Sequence, residues 1–199
     1  MDLPSPVEAL SAREAPAGEP RPVPSFDDTY EENFSFVWRS VRRLGVPASI
    51  VADAVQDVFV VVHRRLPDFE ARASVRTWLY AIVIRVVRDY RRTYRRKELP
   101  VLRAGETADP DEQASRDQGP HELVVRSEAA RTLHELLDGL DEDKREVFVL
   151  AELEQLSVPE IAEAVGINLN TAYSRLRAAR QDFEQAVARR RARDAWRPT

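Results

Sequence analysis

Cysteine is absent from this 199-residue chain, which excludes disulfides, thiolate metal sites and cysteine nucleophiles. Only three histidines occur, His63, His121 and His134, far apart in sequence. A metal centre needs several converging ligands, so none is expected. With six glycines there is no glycine-rich loop to cradle phosphate, and no nucleophile–base set is visible. Catalysis is therefore the least expected class of function, and no cofactor is implied. The N-terminus lacks an apolar stretch flanked by positive charge, and no apolar run approaches the roughly 20 residues needed to span a bilayer. The expectation is a cytoplasmic protein with no membrane insertion. Strand signals are poor as well: the β-branched runs Val60–Val62 and Ile82–Val87 lie inside longer helical periodicities.

What is present is helical pattern between two stretches of unusual composition. Residues 1–25 carry Pro4, Pro6, Pro16, Pro20, Pro22 and Pro24 with few bulky apolar residues, the composition of a disordered tail. Residues 99–124 contain GETADPDEQASRDQGPHE and read as a flexible acidic linker. The chain's formal net charge of −4 is thus largely accounted for outside the two segments that these stretches separate. The fold class is all-α: two small helical domains, residues 26–98 and 125–190, joined by the linker and followed by a short tail, 191–199.

In the first domain Phe34, Val37, Trp38, Val41 and Leu44 recur at three- and four-residue steps, and Gly45 ends that helix. Pro47 opens a second helix with Ile50, Ala54, Val55, Val58, Phe59 and Val62, which Pro67 closes. A third helix spans Val75 to about Arg92, with Trp78, Leu79, Ile82, Val86 and Tyr90 on or near one side. Trp78 shares a face with Ile82 and belongs to the core. In the second domain Leu133–Leu140 and Val147–Leu153 are helical, with Asp141 a cap between them.

The stretch EIAEAVGINLNTAYSRL carries the strongest functional signal. Ser157 and Glu160 have capping-box spacing, with Pro159 in the first turn. Ile161, Ala162 and Val165 give a two-turn helix, and Gly166 can take the left-handed conformation that stops it. Asn168 then caps a helix whose Ala172, Leu176, Ala179 and Phe183 fall on one buried face. Two helices around a tight glycine turn form a helix-turn-helix, whose second helix suits the major groove. Its other face carries Asn170, Thr171, Tyr173, Ser174, Arg175, Arg177 and Arg180, groups that position phosphates and touch base edges.

A second basic face closes the first domain. RVVRDYRRTYRRK places Arg85, Arg88, Arg91, Arg92, Arg95, Arg96 and Lys97 against one acid, Asp89, with Tyr90 and Tyr94 interleaved. Cations also favour a helix C-terminus through the dipole, but this density with aromatics fits a phosphate-tracking surface with stacking partners.

The block ADAVQDVFVVVHRRLPDFEARASVRTWLYAIVIRVVRDYRR, a gap, and then the helix-turn-helix block resemble an RNA polymerase sigma factor of the extracytoplasmic-function (ECF) group. The resemblance spans about Phe26 to Arg190. It implies that Asp53, Gln56 and Asp57 dock on the clamp coiled coil of the largest subunit of core RNA polymerase; the family more often has Glu where Asp57 stands. It implies too that the loop 68–74 and the following helix open the promoter −10 element and hold a flipped base, a step that costs a few kcal/mol of stacking. The residues in question are Phe69 and Ala73 in the loop, with Arg76, Arg85, Arg88, Arg91 and Arg92 beside the strand; Arg85 stands where the family frequently has Asn. The −35 element falls to Asn170, Thr171, Tyr173, Ser174, Arg175, Arg177 and Arg180, with Tyr173 and Ala178 at positions where relatives often carry basic residues. The implied partners are core polymerase, promoter DNA and an anti-sigma factor.

Two other readings remain open on sequence. One is a stand-alone helix-turn-helix regulator that binds duplex DNA unaided, with a salt dependence set by its phosphate contacts. The other is an interaction protein of sigma-like shape that titrates a partner without supporting transcription.

Overall fold

The computed structural model describes residues 24–70, 73–97 and 120–196, and every regular element among them is helical. The first domain is α1 (Phe26–Arg43), α2 (Val51–Arg65) and α3 (Val75–Lys97), with single 3₁₀ turns at Ala48–Ile50 and Leu66–Asp68. The second is α4 (Pro120–Asp138), α5 (Glu142–Phe148), a wide π-type turn at Val149–Leu153, α6 (Val158–Val165) and α7 (Leu169–Ala195). The all-α expectation is met. The sequence-expected tail falls almost wholly, and the linker mostly, outside the described residues.

Local chemistry explains each boundary. The Ser25 hydroxyl accepts the Asp28 N–H at 3.1 Å, with Asp27 and Asp28 in the first turn of α1 favoured by the helix dipole. Gly45, at φ 93°, turns the chain after Leu44. Pro47 opens a 3₁₀ turn rather than the helix itself, so α2 starts at Val51. Helix α3 runs past Arg92 to Lys97, and α4 starts at Pro120, a residue suited to the first helical position. Asp141 accepts the Asp143 N–H at 3.1 Å and caps α5.

Helix α3 is the structural axis. From Thr77 to Val87 only Arg85 is exposed; Tyr80, Val83, Ile84 and Val87 are as buried as Leu79 and Ile82. One apolar stripe would need a single packing partner, whereas α3 packs on α1 and α2 on one side and on α6 of the second domain on the other. The buried apolar residues of both domains therefore form one contiguous core. Each large side chain buried there contributes about 1.5–3 kcal/mol relative to exposure.

Candidate nucleic-acid and protein interfaces

The helix-turn-helix is built as its sequence dictates. The Glu160 carboxylate accepts from both the backbone N–H and the hydroxyl of Ser157, at 2.9 and 2.6 Å. Gly166 sits at φ 74°, and its N–H bonds back to Ala162 O at 3.0 Å. Asn168 Oδ1 accepts the Thr171 N–H at 2.8 Å, starting α7. Ala172, Leu176 and Ala179 are buried, which turns Asn170, Tyr173, Ser174, Arg177 and Arg180 outward, with Tyr173 54% exposed. Thr171 and Arg175 are half-buried. Two of the arginines on this face already hold acids of their own domain: Arg175 meets Asp143 at 2.7 Å and Arg180 meets Glu152 at 2.7 Å.

Asp53, Gln56 and Asp57 lie together on the exposed face of α2. Asp57 accepts a hydrogen bond from the Tyr90 hydroxyl at 2.7 Å, which ties α2 to α3. Gln56 also lines an apolar groove of about 730 Å³ between α1 and α2, walled by Tyr30, Phe34, Trp38 and Phe59. Tyr30 and Val60 remain 39% and 40% exposed beside it. Sequence reasoning placed Phe34, Trp38 and Phe59 in the core only; the spacing of Tyr30, Phe34 and Trp38 at four-residue steps was the available signal.

The structure separates the seven residues expected at the −10 element into three groups. Phe69 is 8% exposed and packs on Trp78 with ring centroids 5.1 Å apart, and Ala73 is half-buried against the same core. Arg85 and Arg92 face outward; Arg92 pairs with Asp89 at 3.1 Å, and Arg85 shares a groove with Arg64 and Arg65 from the end of α2. Arg64 and Arg65 escaped sequence reasoning because nothing in one dimension places the end of α2 beside the middle of α3.

The third group, Arg76, Arg88 and Arg91, points at the second domain. Arg88 grips Glu146 with both ends of its guanidinium, Nη2 at 2.6 Å and Nε at 3.0 Å, while Nη1 donates to Val165 O at 3.1 Å. Arg91 lies 3.5 Å from Glu146 and 3.9 Å from Glu142. Arg76 and Arg43 converge on Glu154 at 3.0 and 2.7 Å. Both glutamates are sequestered, with side chains 3% and 2% exposed. Burial works against the charge of Arg88, but the Glu146 carboxylate outweighs it and holds the guanidinium above its ordinary value. Burial, reinforced by Glu154, pushes the Tyr80 phenol well above its ordinary range, so that hydroxyl stays protonated. No group of His, Asp or Glu among the described residues is arranged to hold a metal, and none of the described helices is long and apolar enough to cross a membrane.

Two helical domains, one closing in a capped helix-turn-helix and the other in an arginine-rich helix, are the architecture of a DNA-binding protein. Comparison with known proteins places it more closely. Residues 29–97 match the family described as Sigma-70 region 2, and residues 130–183 the family described as Sigma-70, region 4. The chain is 33% identical over 181 residues to the RNA polymerase sigma factor NccH of Alcaligenes xylosoxydans, covering 90% of this chain and 94% of that one. It is 27% identical over 146 residues to the ECF RNA polymerase sigma-E factor of Escherichia coli, covering 71% and 76%. The solved structure of CnrH in complex with the cytosolic domain of CnrY has the same fold, at a TM-score of 0.57 and 24% identity over 92% of this chain and 94% of that one. The chain belongs to the ECF group of RNA polymerase sigma factors.

Proposed function

We propose that this sigma factor docks on core RNA polymerase through the α2 face of Asp53, Gln56 and Asp57, contacts the −10 element through the α3 face and its preceding loop, and contacts the −35 element through α7. It would carry out this work in the cytoplasm, where the polymerase is. The observation that carries the reading is α7: a capped helix after a glycine turn, presenting amide, hydroxyl and guanidinium groups outward from a small, buried alanine face.

The α2 face differs in kind from the other two. It is acidic and flanked by exposed Tyr30 and Val60, a mixture suited to a protein partner and repellent to phosphate. On the −10 side, Arg64, Arg65 and Arg85 around one groove supply positive charge for a displaced strand. The solved complex of the sigma factor RpoE with the anti-sigma factor NepR from Bartonella quintana, similar in fold at a TM-score of 0.58, makes an anti-sigma factor the natural further partner.

The test is promoter-directed transcription with purified core polymerase. The expected result is specific initiation that depends on both protein and a cognate promoter. Tight binding of operator DNA by the protein alone, with no polymerase association, would favour the stand-alone regulator.

A further inference from the structure

The aromatic groove between α1 and α2 follows α1 from Phe26 to Trp38, about 18 Å at 1.5 Å per residue. Ring contacts between the two helices set its direction. Phe26 meets His63 with centroids 5.0 Å apart, and Tyr30 meets Phe59 at 4.6 Å. His63 and Arg64 therefore lie at the Phe26 end, while Gln56, two turns earlier on α2, lies toward Trp38. No acid among the described residues lines this groove, and Tyr30 and Val60 leave apolar surface open beside it. Contiguous apolar surface of this kind marks a docking site.

The chain itself carries a segment that fits. The 23 residues before Pro24 lie outside the described ones and lead into α1 at the Phe26 end of the groove. Their composition is that of a disordered tail, but one stretch, LPSPVEALSAREAP from Leu3 to Pro16, stands apart. Ser5 and Glu8 have capping-box spacing, Pro6 suits the first helical position and Pro16 supplies a stop. The same Ser-x-x-Glu spacing caps α6 at Ser157 and Glu160. Leu3, Val7, Leu10 and Glu14 follow one another at steps of four, three and four, which places three apolar residues and then one acid on a single stripe.

Order, length and reach agree with the groove. The apolar residues match its aromatic wall, and Glu14 matches the end that holds Arg64 and His63. A helix over residues 6–15 is about 15 Å long, close to the groove's own length. Residues 15–25 carry Pro16, Pro20, Pro22 and Pro24, and extended they span about 34 Å at about 3.1 Å per residue. Gly18 within them permits the chain to turn back. A tether this short supplies an effective concentration on the order of 1 mM, so a weak intrinsic affinity is enough to keep the segment seated.

We propose that the amphipathic segment of residues 3–14 seats in the α1–α2 groove of its own chain, with Glu14 at the Arg64 end, and covers the side of the docking face that Gln56 shares with the groove. The covering half rests on the sigma-factor reading of Asp53, Gln56 and Asp57 above; the seat itself does not. A partner that docks through Gln56 then meets only the unseated fraction, and its apparent affinity is scaled by that fraction.

The absence of native cysteine makes the test direct. A nitroxide is attached at Ala9→Cys, off the apolar stripe, in the full isotope-labelled chain, and the indole N–H signals of Trp38 and Trp196 are followed by NMR. Trp38 lines the groove, whereas Trp196 ends α7 in the other domain and is 87% exposed. The label is expected to broaden Trp38 and spare Trp196. Adding Val7→Asp and Leu10→Asp, which touch no residue of the described core, should restore the Trp38 signal. Equal broadening with and without these two substitutions, or none in either, would overturn the seat. So would matching broadening when the nitroxide is carried only by a second, unlabelled copy, which would make the occupant another molecule. For the covering half, Val7→Asp with Leu10→Asp should capture purified core polymerase about twofold or more tightly than wild type. Equal capture would show that the seated segment leaves the docking face clear and would overturn that half. No capture by either chain would overturn the polymerase-docking reading and the covering with it, and the Trp38 signal still decides the seat.

Discussion

Arg88 of the first domain and Glu146 of the second face each other fork to fork, with contacts of 2.6 and 3.0 Å between residues 58 positions apart. An arginine expected from sequence to lie along promoter DNA is thus already occupied by a carboxylate of its own chain. The same holds, at lower burial, for Arg175 with Asp143 and Arg180 with Glu152 on α7. In this acidic chain, carboxylates of its own fold are the partners that these arginines hold.

Arg175→Ala is expected to weaken discrimination between a matched and a mutated −35 element by about 1–3 kcal/mol. Asp143→Asn, which removes its partner, should leave discrimination intact and strengthen binding to both. Titration of holoenzyme on the two promoters checks this; equal discrimination by Arg175→Ala and wild type would exclude a base-reading role.

Alanine at Asp53, Gln56 and Asp57 together should abolish capture of core polymerase while the protein stays folded. All three side chains are exposed, and the main internal loss is the bond from Tyr90 to Asp57, a hydrogen bond worth about 1 kcal/mol. A pull-down beside a thermal melt separates lost docking from lost fold.

Arg91 and Arg92 are neighbours in different surroundings. Arg92 is 63% exposed and paired with Asp89, itself a surface acid, so Arg92→Glu should reduce promoter opening with a stability change of about 0.5 kcal/mol or less. Arg91 is 9% exposed beside Glu146 and Glu142, so Arg91→Glu places three acids together and should cost several kcal/mol. Permanganate footprinting of opening and denaturant melts of both variants distinguish the two.

His134 supplies a pH dependence. Burial, and then the charge of Arg42, hold its pKa below the ordinary imidazole value of 6.5. The unfolded chain therefore binds the proton more readily than the folded one, and stability falls as pH drops below that value. His134→Gln should flatten the slope of stability between pH 7 and pH 5; an unchanged slope would assign the acid response to other groups.

Gly166→Ala places a Cβ at φ 74° and should destabilise the second domain by about 1–2 kcal/mol. Because the turn sets the angle between α6 and α7, −35 binding should weaken along with the melting temperature. A melt unchanged from wild type would show that the turn relaxes around the new side chain.

The sequence by itself determined the elements whose causes are local. Ser157 with Glu160, Gly166 and Asn168 specify the helix-turn-helix within a dozen residues, because caps and left-handed turns depend on side chains three or four positions away. The outward residues of α7 followed from the period of Ala172, Leu176 and Ala179 alone. Helix α3 was legible as a helix, but its burial on nearly every side was not inferred, although Tyr80, Val83, Ile84 and Val87 wrote it in the sequence as apolar residues off the main stripe. What only the tertiary structure decided is which charges meet. Arg88 and Glu146, Arg76 and Glu154, and Arg85 with Arg64 are joined by long-range packing of α3 against α6 and α2, and no periodicity encodes a contact between surfaces that chain folding alone brings together.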